Sequence, residues 1–322
     1  MNKKLKIGVL FGGKSAEHEV SINSARNVIA ALDKTKYDIT PIKINKDGKF
    51  KLDVVNGFDV IFPVMHGPFG EDGTVQGMLK LANIPFVGAG VLGSAVGMDK
   101  DVMKRLLRDA GIPIGRFITV KFGEQISFEK ARKELGLPLF IKPANMGSSV
   151  GVSKVRNKKE FKKAIKEAFE FDIKIILEEF INGREIECSV LGNDKPIASI
   201  PGEVIVKDDF YSYNTKYIDD NGAIIQIPAK ISKKEAKIVQ DLAVKTFKTL
   251  SCEGLGRVDS FLTKSGKVCV NEINTIPGFT SISMYPKLWE ASGLPLPKLL
   301  DKLIELAIER FEKEKKLKTT VE

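Results

Sequence analysis

Apolar residues recur along this chain in two periods, and the switching between them sets out its elements. Ile7–Phe11 is an unbroken apolar run, Gly12-Gly13 interrupts it, and Ile22, Ala25, Val28, Ile29 and Leu32 follow at helical spacing. Further runs at Ile39–Ile44, Asp59–Val64 and Ile84–Val87 read as strands, with a helix over Thr74–Ala82 before the last. Strands alternating with helices predict a parallel sheet, so residues 1–95 read as one Rossmann-like α/β domain.

A helix over Asp99–Asp109 and the Gly111-Ile112-Pro113 break open a second unit. Its pattern is strand Arg116–Lys121, helix Phe128–Leu135, strands Leu139–Lys142 and Gly151–Val155, helix Lys158–Phe169 and strand Lys174–Glu178. That predicts a compact α+β domain over residues 96–182. Residues 183–322 hold more strands, a polar loop at 207–222, a helix over Lys233–Leu250, a hairpin at 255–274 and a closing helix after Pro297. No internal repeat is visible, and the charged end from Glu309 reads as a solvated helix terminus.

Composition narrows the class. At 322 residues the chain exceeds one comfortable core, and 43% hydrophobic with 29% charged residues excludes disorder, collagen and coiled coil. Its 51 Lys and Arg against 41 Asp and Glu leave +10, which suits either nucleic acid or anionic small molecules. The lysines scatter over amphipathic helices and pair locally with glutamates, as in 312–316, instead of clustering with aromatics. No nucleic-acid partner is therefore expected. Cys188, Cys252 and Cys269 lack paired spacing and read as buried thiols in a reducing cytosol. Nothing reaches the roughly 20 apolar residues of a membrane span, and Ile7–Phe11 is too short for a signal peptide. A cytoplasmic protein without a membrane partner is the expectation.

The hairpin carries the first candidate chemistry. Residues 255–274 read LGRVDSFLTKSGKVCVNEIN, and a reversal centred on Ser265-Gly266 sets Asp259 opposite Glu272 and Arg257 opposite Asn274. Strand residues two apart share a face, so the four side chains project together. Facing carboxylates repel unless a cation lies between them, and a hard divalent ion, Mg²⁺ for preference, suits this oxygen-rich set. A solvent-exposed strand face is the alternative, and an odd-length loop would shift the register.

Two other segments are chemically suggestive. In FIKPANMGSSVG (140–151) an apolar strand ends in Lys142 and runs into a loop with Gly147, Ser148, Ser149 and Gly151. Successive N–H groups and hydroxyls in such a loop can wrap phosphate oxygens, although glycine–serine loops also serve as plain turns. It is not a Walker loop, since no GKS or GKT follows. Lys100 offers a second cation, or a helix-surface lysine. SAEHEVS (15–21) and HGPFGEDGT (66–74) both follow strand ends, where doubly wound sheets open their ligand crevice. Glu17 can hold an ammonium or act as a helix N-terminal acid, and His66 can be a turn residue. The dinucleotide fingerprint is absent, because only Gly12 and Gly13 precede SAEHEVS.

Taken together, GGKSAEHEVSINSA (12–25), HGPFGEDGT (66–74), MDK (98–100), IKPANMGSSVG (141–151), FYSYNTKY (210–217), GRVD (256–259) and NEINTIPGFTSISM (271–284) resemble the D-alanine–D-alanine ligase family of the ATP-grasp superfamily. The resemblance spans nearly the whole chain. It implies a three-domain ATP-grasp fold that grips ATP between the second and third domains. It also implies a ligation in which one D-alanine takes the γ-phosphate as an acyl phosphate and a second attacks it, for peptidoglycan precursors. By the same resemblance Lys100 and Lys142 contact the nucleotide phosphates, and Ser148 and Ser149 lie in the loop covering them. Glu178, Phe180 and Ile181 hold adenine and Glu185 the ribose, while Asp259, Glu272 and Asn274 hold two Mg²⁺ ions, with Mn²⁺ as substitute. Arg257 and the Gly278 backbone are oxyanion donors, Glu17 with His66 binds the first D-alanine, and Lys216 and Ser283 bind the second. Tyr217, linked with Glu17 and Ser148, is associated with making the dipeptide, where phenylalanine is associated with D-lactate. The loop PANMGSS lacks the charged residue often found before its glycine. A homodimer is expected, and the alternatives are another carboxylate–amine ligase or a D-alanine–D-lactate or D-serine ligase.

Overall fold

The computed structural model describes residues 3–49, 51–206, 223–318 and 320–321. The polar loop at 207–222, with Lys216 and Tyr217, lies outside the described residues.

β1 (Leu5–Gly12), α1 (His18–Ala31), β2 (Tyr37–Ile44) and β3 (Val60–Pro63) form a parallel sheet in the order β2-β1-β3. Residues 7–10 of β1 are buried on both faces, which is why the strand reads as an apolar run and not an alternation. At Gly12, φ is +92° and a Cβ would lie 2.3 Å from the Ile44 carbonyl oxygen, so only glycine fits where the chain leaves the sheet. The strand expected at Ile84–Val87 shrinks to one parallel bridge between Ile61 and Phe86. Pro85 has no N–H for the ladder, and Gly88 at φ +103° turns the chain away. α2 (Thr74–Leu81) follows expectation, but α3 (Val91–Met98) does not. Its sequence VLGSAVGM has no polar face to give a helical period, and its glycines allow close approach: a Cβ on Gly93 would sit 2.6 Å from the Ser251 carbonyl oxygen.

α4 (Lys100–Asp109) is capped by Asp99, whose side chain accepts from the N–H groups of Asp101 and Val102. The second sheet is antiparallel: β4 (Phe117–Lys121), β5 (Leu139–Pro143), β6 (Ser153–Val155) and β7 (Lys174–Glu179), in the order β4-β7-β5-β6. α5 (Phe128–Leu135) and α6 (Lys158–Ala168) add Ala131, Leu135, Phe161 and Ala164 to its core.

The third sheet runs β11 (Ala223–Gln226), β10 (Gly202–Val206), β8 (Gly183–Gly192), β12 (Gly254–Thr263) and β13 (Val268–Asn274), with β9 (Ile197–Ala198) against β8. α7 (Lys233–Thr249) begins with a Ser232–Glu235 capping box. α8 (Met284–Ala291) is absent from the sequence pattern because Pro286 stands in its first turn, where proline costs no hydrogen bond. α9 (Leu296–Glu314) starts one residue before Pro297 and folds back on the first sheet: Leu299, Leu303 and Ile304 share a core with Ile7, Val9 and Phe62.

The β12–β13 hairpin corrects one step of the sequence argument. Thr263 N–H donates to Lys267 O at 2.9 Å, so the loop is the three residues 264–266, with Gly266 at φ +78°. Farther from the turn, Ser260 pairs with Val270 but Asp259 with Glu272, leaving Asn271 as an extra residue in a bulge. The two offsets cancel. Asp259 faces Glu272 and Arg257 faces Asn274, as the symmetric reversal predicted.

Candidate active site

Two cavities meet between these sheets. The first, of about 360 Å³, is lined by every residue expected to hold a nucleotide: Lys100, Lys142, Ser148, Ser149, Glu178, Phe180, Ile181 and Glu185. The second, of about 730 Å³, is lined by Glu17, His66, Arg257, Glu272, Asn274, Gly278 and Ser283. Gly147, Ser148, Val204 and Glu272 line both, so the glycine-rich loop and one carboxylate form the shared wall. Asp259 lines neither, lying beneath Arg257, and Lys216 and Tyr217 fall outside the described residues.

Each wall is built locally. The end of β5 places Lys142, and the N–H of Lys100 donates to Ala144 O at 3.0 Å, tying the first turn of α4 to the same strand end. A lysine at a helix N-terminus opposes the macrodipole. Here its Nζ donates to Met146 O at 2.7 Å and lies 3.5 Å from Glu272. Ser148 and Ser149 hold positive φ, 51° and 60°, a conformation that costs energy for residues other than glycine. The Ser148 hydroxyl donates to Glu17, joining the loop to the second cavity.

Under the first cavity lies a buried triad. Glu178 lies 2.6 Å from Lys104 Nζ through Oε1 and pairs with Lys142 through Oε2. Burial pushes the Glu178 carboxyl up, but the two ammonium groups outweigh it and hold it below its ordinary value. Burial lowers Lys104; burial also acts downward on Lys142, but there the Glu178 and Glu272 carboxylates together outweigh it and raise the ammonium. Phe180 packs against Phe140, centroids 6.2 Å apart, with Lys154 Nζ 4.6 Å from its ring centre.

Hydrogen bonds across the second cavity join distant segments. His66 Nδ1 donates to Ile276 O at 3.0 Å, which leaves Nε2 to accept from the Ser24 hydroxyl at 3.2 Å. Ser24 Oγ accepts the Phe279 N–H at 3.1 Å. Burial keeps the imidazole below its ordinary value, hence neutral. Glu71 accepts from the N–H groups of Gly67 and Ile276, at 2.8 and 3.1 Å. Burial and the nearby Glu17 push its carboxyl up to about 8. Ser283 Oγ accepts the Thr280 N–H at 3.0 Å, and a Cβ on Gly278 would lie 2.7 Å from it, so only glycine lets that backbone approach.

Comparison with known proteins identifies the family. The model described as D-ala D-ala ligase N-terminus matches residues 6–56 and 52–89, and that described as D-ala D-ala ligase C-terminus matches 106–305. The chain belongs to the D-alanine–D-alanine ligase family. It is 50% identical over 361 residues to the D-alanine–D-alanine ligase of Oceanobacillus iheyensis, covering 98% of this chain and 99% of that one. The solved D-alanine–D-alanine ligase of Coxiella burnetii superposes with a TM-score of 0.88 at 41% identity, over 97% of this chain and 96% of that one. The Bacillus anthracis ligase complexed with ATP gives 0.83 at 33% identity, over 96% and 99%. The ATP-grasp fold expected from sequence is thereby borne out.

Whether Asp259, Glu272 and Asn274 suit a hard divalent ion turns on their surroundings. Arg257 forks onto Asp259 at 2.8 and 2.7 Å, and Asn274 Nδ2 donates to Asp259 at 2.9 Å. A cation already neutralises that carboxylate, and the set offers two carboxylates and an amide oxygen on one face. Among the described residues no three His, Cys, Asp or Glu side chains cluster closely enough to form a metal cage. Two carboxylates and an amide oxygen are donors of the kind Mg²⁺ takes, with water and substrate phosphates completing its shell, once Asp259 gives up part of its fork to Arg257.

Three buried charged residues of the site escaped the sequence argument: Lys104, Glu71 and Glu187. Lys104 stands one helical turn beyond Lys100, Glu71 lies in the HGPFGEDGT block, and Glu187 interrupts the apolar run of β8. A charge inside an apolar run was the signal available for Glu187, and for Lys104 it was a lysine on the helix face shared by Met103 and Leu107.

Proposed function

We propose that this chain joins two D-alanine molecules into D-alanyl-D-alanine at the expense of ATP, through an acyl phosphate, and releases ADP and phosphate for peptidoglycan precursors. One observation carries the reading: the nucleotide cavity and the carboxylate-lined cavity share Gly147, Ser148 and Glu272, so a γ-phosphate and a substrate carboxylate meet there.

The roles follow from position. Lys100 and Lys142 neutralise the phosphates, and Ser148 and Ser149 cover them. Glu178, Phe180 and Ile181 receive adenine, and Glu185 the ribose. Glu17 holds the ammonium of the first D-alanine beside neutral His66, and its bond from Ser148 couples that substrate to the phosphate loop. Ser283 and Lys216 hold the second carboxylate, and Tyr217 favours an amine as the second nucleophile. That amine attacks the acyl phosphate, the Arg257 guanidinium and Gly278 N–H stabilise the resulting oxyanion, and its collapse expels phosphate. Asp259, Glu272 and Asn274 would hold Mg²⁺ or Mn²⁺, two ions in the full complex. When bound, the metal neutralises charge on the transferring phosphoryl group.

The same reading divides the chain at residues 1–95, 96–182 and 183–322 and makes the protein a cytoplasmic homodimer. No helix among the described residues is long and apolar enough to cross a membrane. The deciding assay is phosphate release from ATP with D-alanine, L-alanine, D-serine or D-lactate. Release with D-alanine alone and D-alanyl-D-alanine as product is expected; release with L-alanine but not D-alanine overturns the proposal.

A further inference from the structure

β8, β12 and β13 bring three acids into one row: Glu187 pairs with Asp259, and Asp259 with Glu272. The ligase reading uses the last two and leaves Glu187 without a role. Yet Glu187 is buried, lines the second cavity, and its Oε2 lies 2.8 Å from Arg257 Nε. Arg257 thus lies between two carboxylates: its Nε–H and Nη2 donate to Asp259 on its own strand, and Glu187 on the neighbouring one stands in ion-pair contact with Nε.

The two partners differ in what else is asked of them. Asp259 sits opposite Glu272 among the candidate metal ligands, and a carboxylate whose two oxygens are forked by a guanidinium has little left for a divalent ion. Glu187 is on the far side of Arg257 from Glu272. We propose that Glu187 is a positioning residue for Arg257: it keeps the guanidinium aimed into the cleft when Asp259 turns to the metal. The inference rests on the ligase reading for what Arg257 does, but the Glu187–Arg257 contact stands without it.

The test uses the full chain with E187Q, E187D, R257A and the double variant E187Q/R257A. A misplaced transition-state donor costs turnover more than binding, so E187Q is expected to lower kcat on the order of 10²-fold. KM for ATP and D-alanine, and the Mg²⁺ concentration for half-maximal rate, should stay within about twofold. E187D should recover part of kcat, and E187Q should cost R257A nothing further. The second readout needs neither metal nor activity: in urea unfolding with EDTA and no nucleotide, the destabilisations of E187Q and R257A should be non-additive. A raised Mg²⁺ requirement, with kcat restored at saturating Mg²⁺, makes Glu187 a metal ligand and overturns the proposal. Additive losses in both readouts overturn it too. Should the parent chain release no phosphate with D-alanine, the ligase reading falls, and the metal-free unfolding arm alone decides whether Glu187 holds Arg257.

Discussion

Glu178→Gln is the sharpest test of the electrostatics under the nucleotide cavity. Lys104 is 2% exposed and Lys142 8%, and both ammonium groups face the one carboxylate of Glu178. The triad carries one net positive charge. Removing the carboxylate leaves two buried cations facing a neutral amide. Breaking a buried ion pair by deleting one partner costs about 3–5 kcal/mol. With roughly 2–4 °C per kcal/mol for larger domains, the melting temperature should fall by on the order of 10 °C. Lys104→Met is the control, because it removes the surplus charge and leaves a neutral Lys142–Glu178 pair. It should cost on the order of 1 kcal/mol. Excess ATP should restore more stability to the Glu178→Gln variant than to the parent, since the triphosphate supplies the missing negative charge. Urea unfolding at neutral pH, with and without nucleotide, measures all of these. A loss under about 1 kcal/mol for Glu178→Gln, or a larger one for Lys104→Met, would refute the reasoning.

Three further outcomes are expected. Glu272→Gln should lower turnover by at least about 10²-fold even at saturating Mg²⁺, because it withdraws charge from the wall shared by both cavities; near-parental rates would mean that this register does not build the metal site. Between its ordinary 4.5 and about 8, folded Glu71 keeps a proton that the unfolded chain has released, so stability should fall as pH rises across that window. In a urea pH series the Glu71→Gln variant should lose that component of the slope. Arg310 of α9 donates to Phe86 O at 2.8 Å and to Gly88 O at 2.5 Å, over the Phe86 ring at 4.4 Å. Arg310→Met strands two buried carbonyls and should cost about 2–4 kcal/mol by calorimetry.

Local order dictates the elements that stand out in the sequence. β1, β5 and β7 are buried strands whose apolar runs need no knowledge of their neighbours, and α7 announces itself through the Ser232–Glu235 capping box. α3 and α8 were illegible because contacts, not period, specify them: one is packed through glycines and the other carries a proline in its first turn. The candidate site was legible as a set of blocks but not as a network. Glu178 was read as an adenine neighbour, and nothing local says that its side chain neutralises Lys104 and Lys142.

The hairpin divides the two kinds of information most clearly. Alternation along each strand put Arg257 and Asp259 on one face and Glu272 and Asn274 on another, because side chains on a pleated strand alternate whatever lies beside them. That the faces coincide was decided in the folded chain, where an odd-length turn and a bulge at Asn271 cancel. The sequence by itself determined which residues bear charge, which segments are strands and which loops can wrap phosphate. Tertiary structure alone decided that Glu187 meets Arg257, that Glu71 ties Gly67 to Ile276, and that α9 completes the core of the first sheet. Those contacts join segments up to some three hundred positions apart; the α9 packing draws its energy from excluding water between apolar surfaces, the other two from charge and hydrogen bonding, and no local pattern announces any of them.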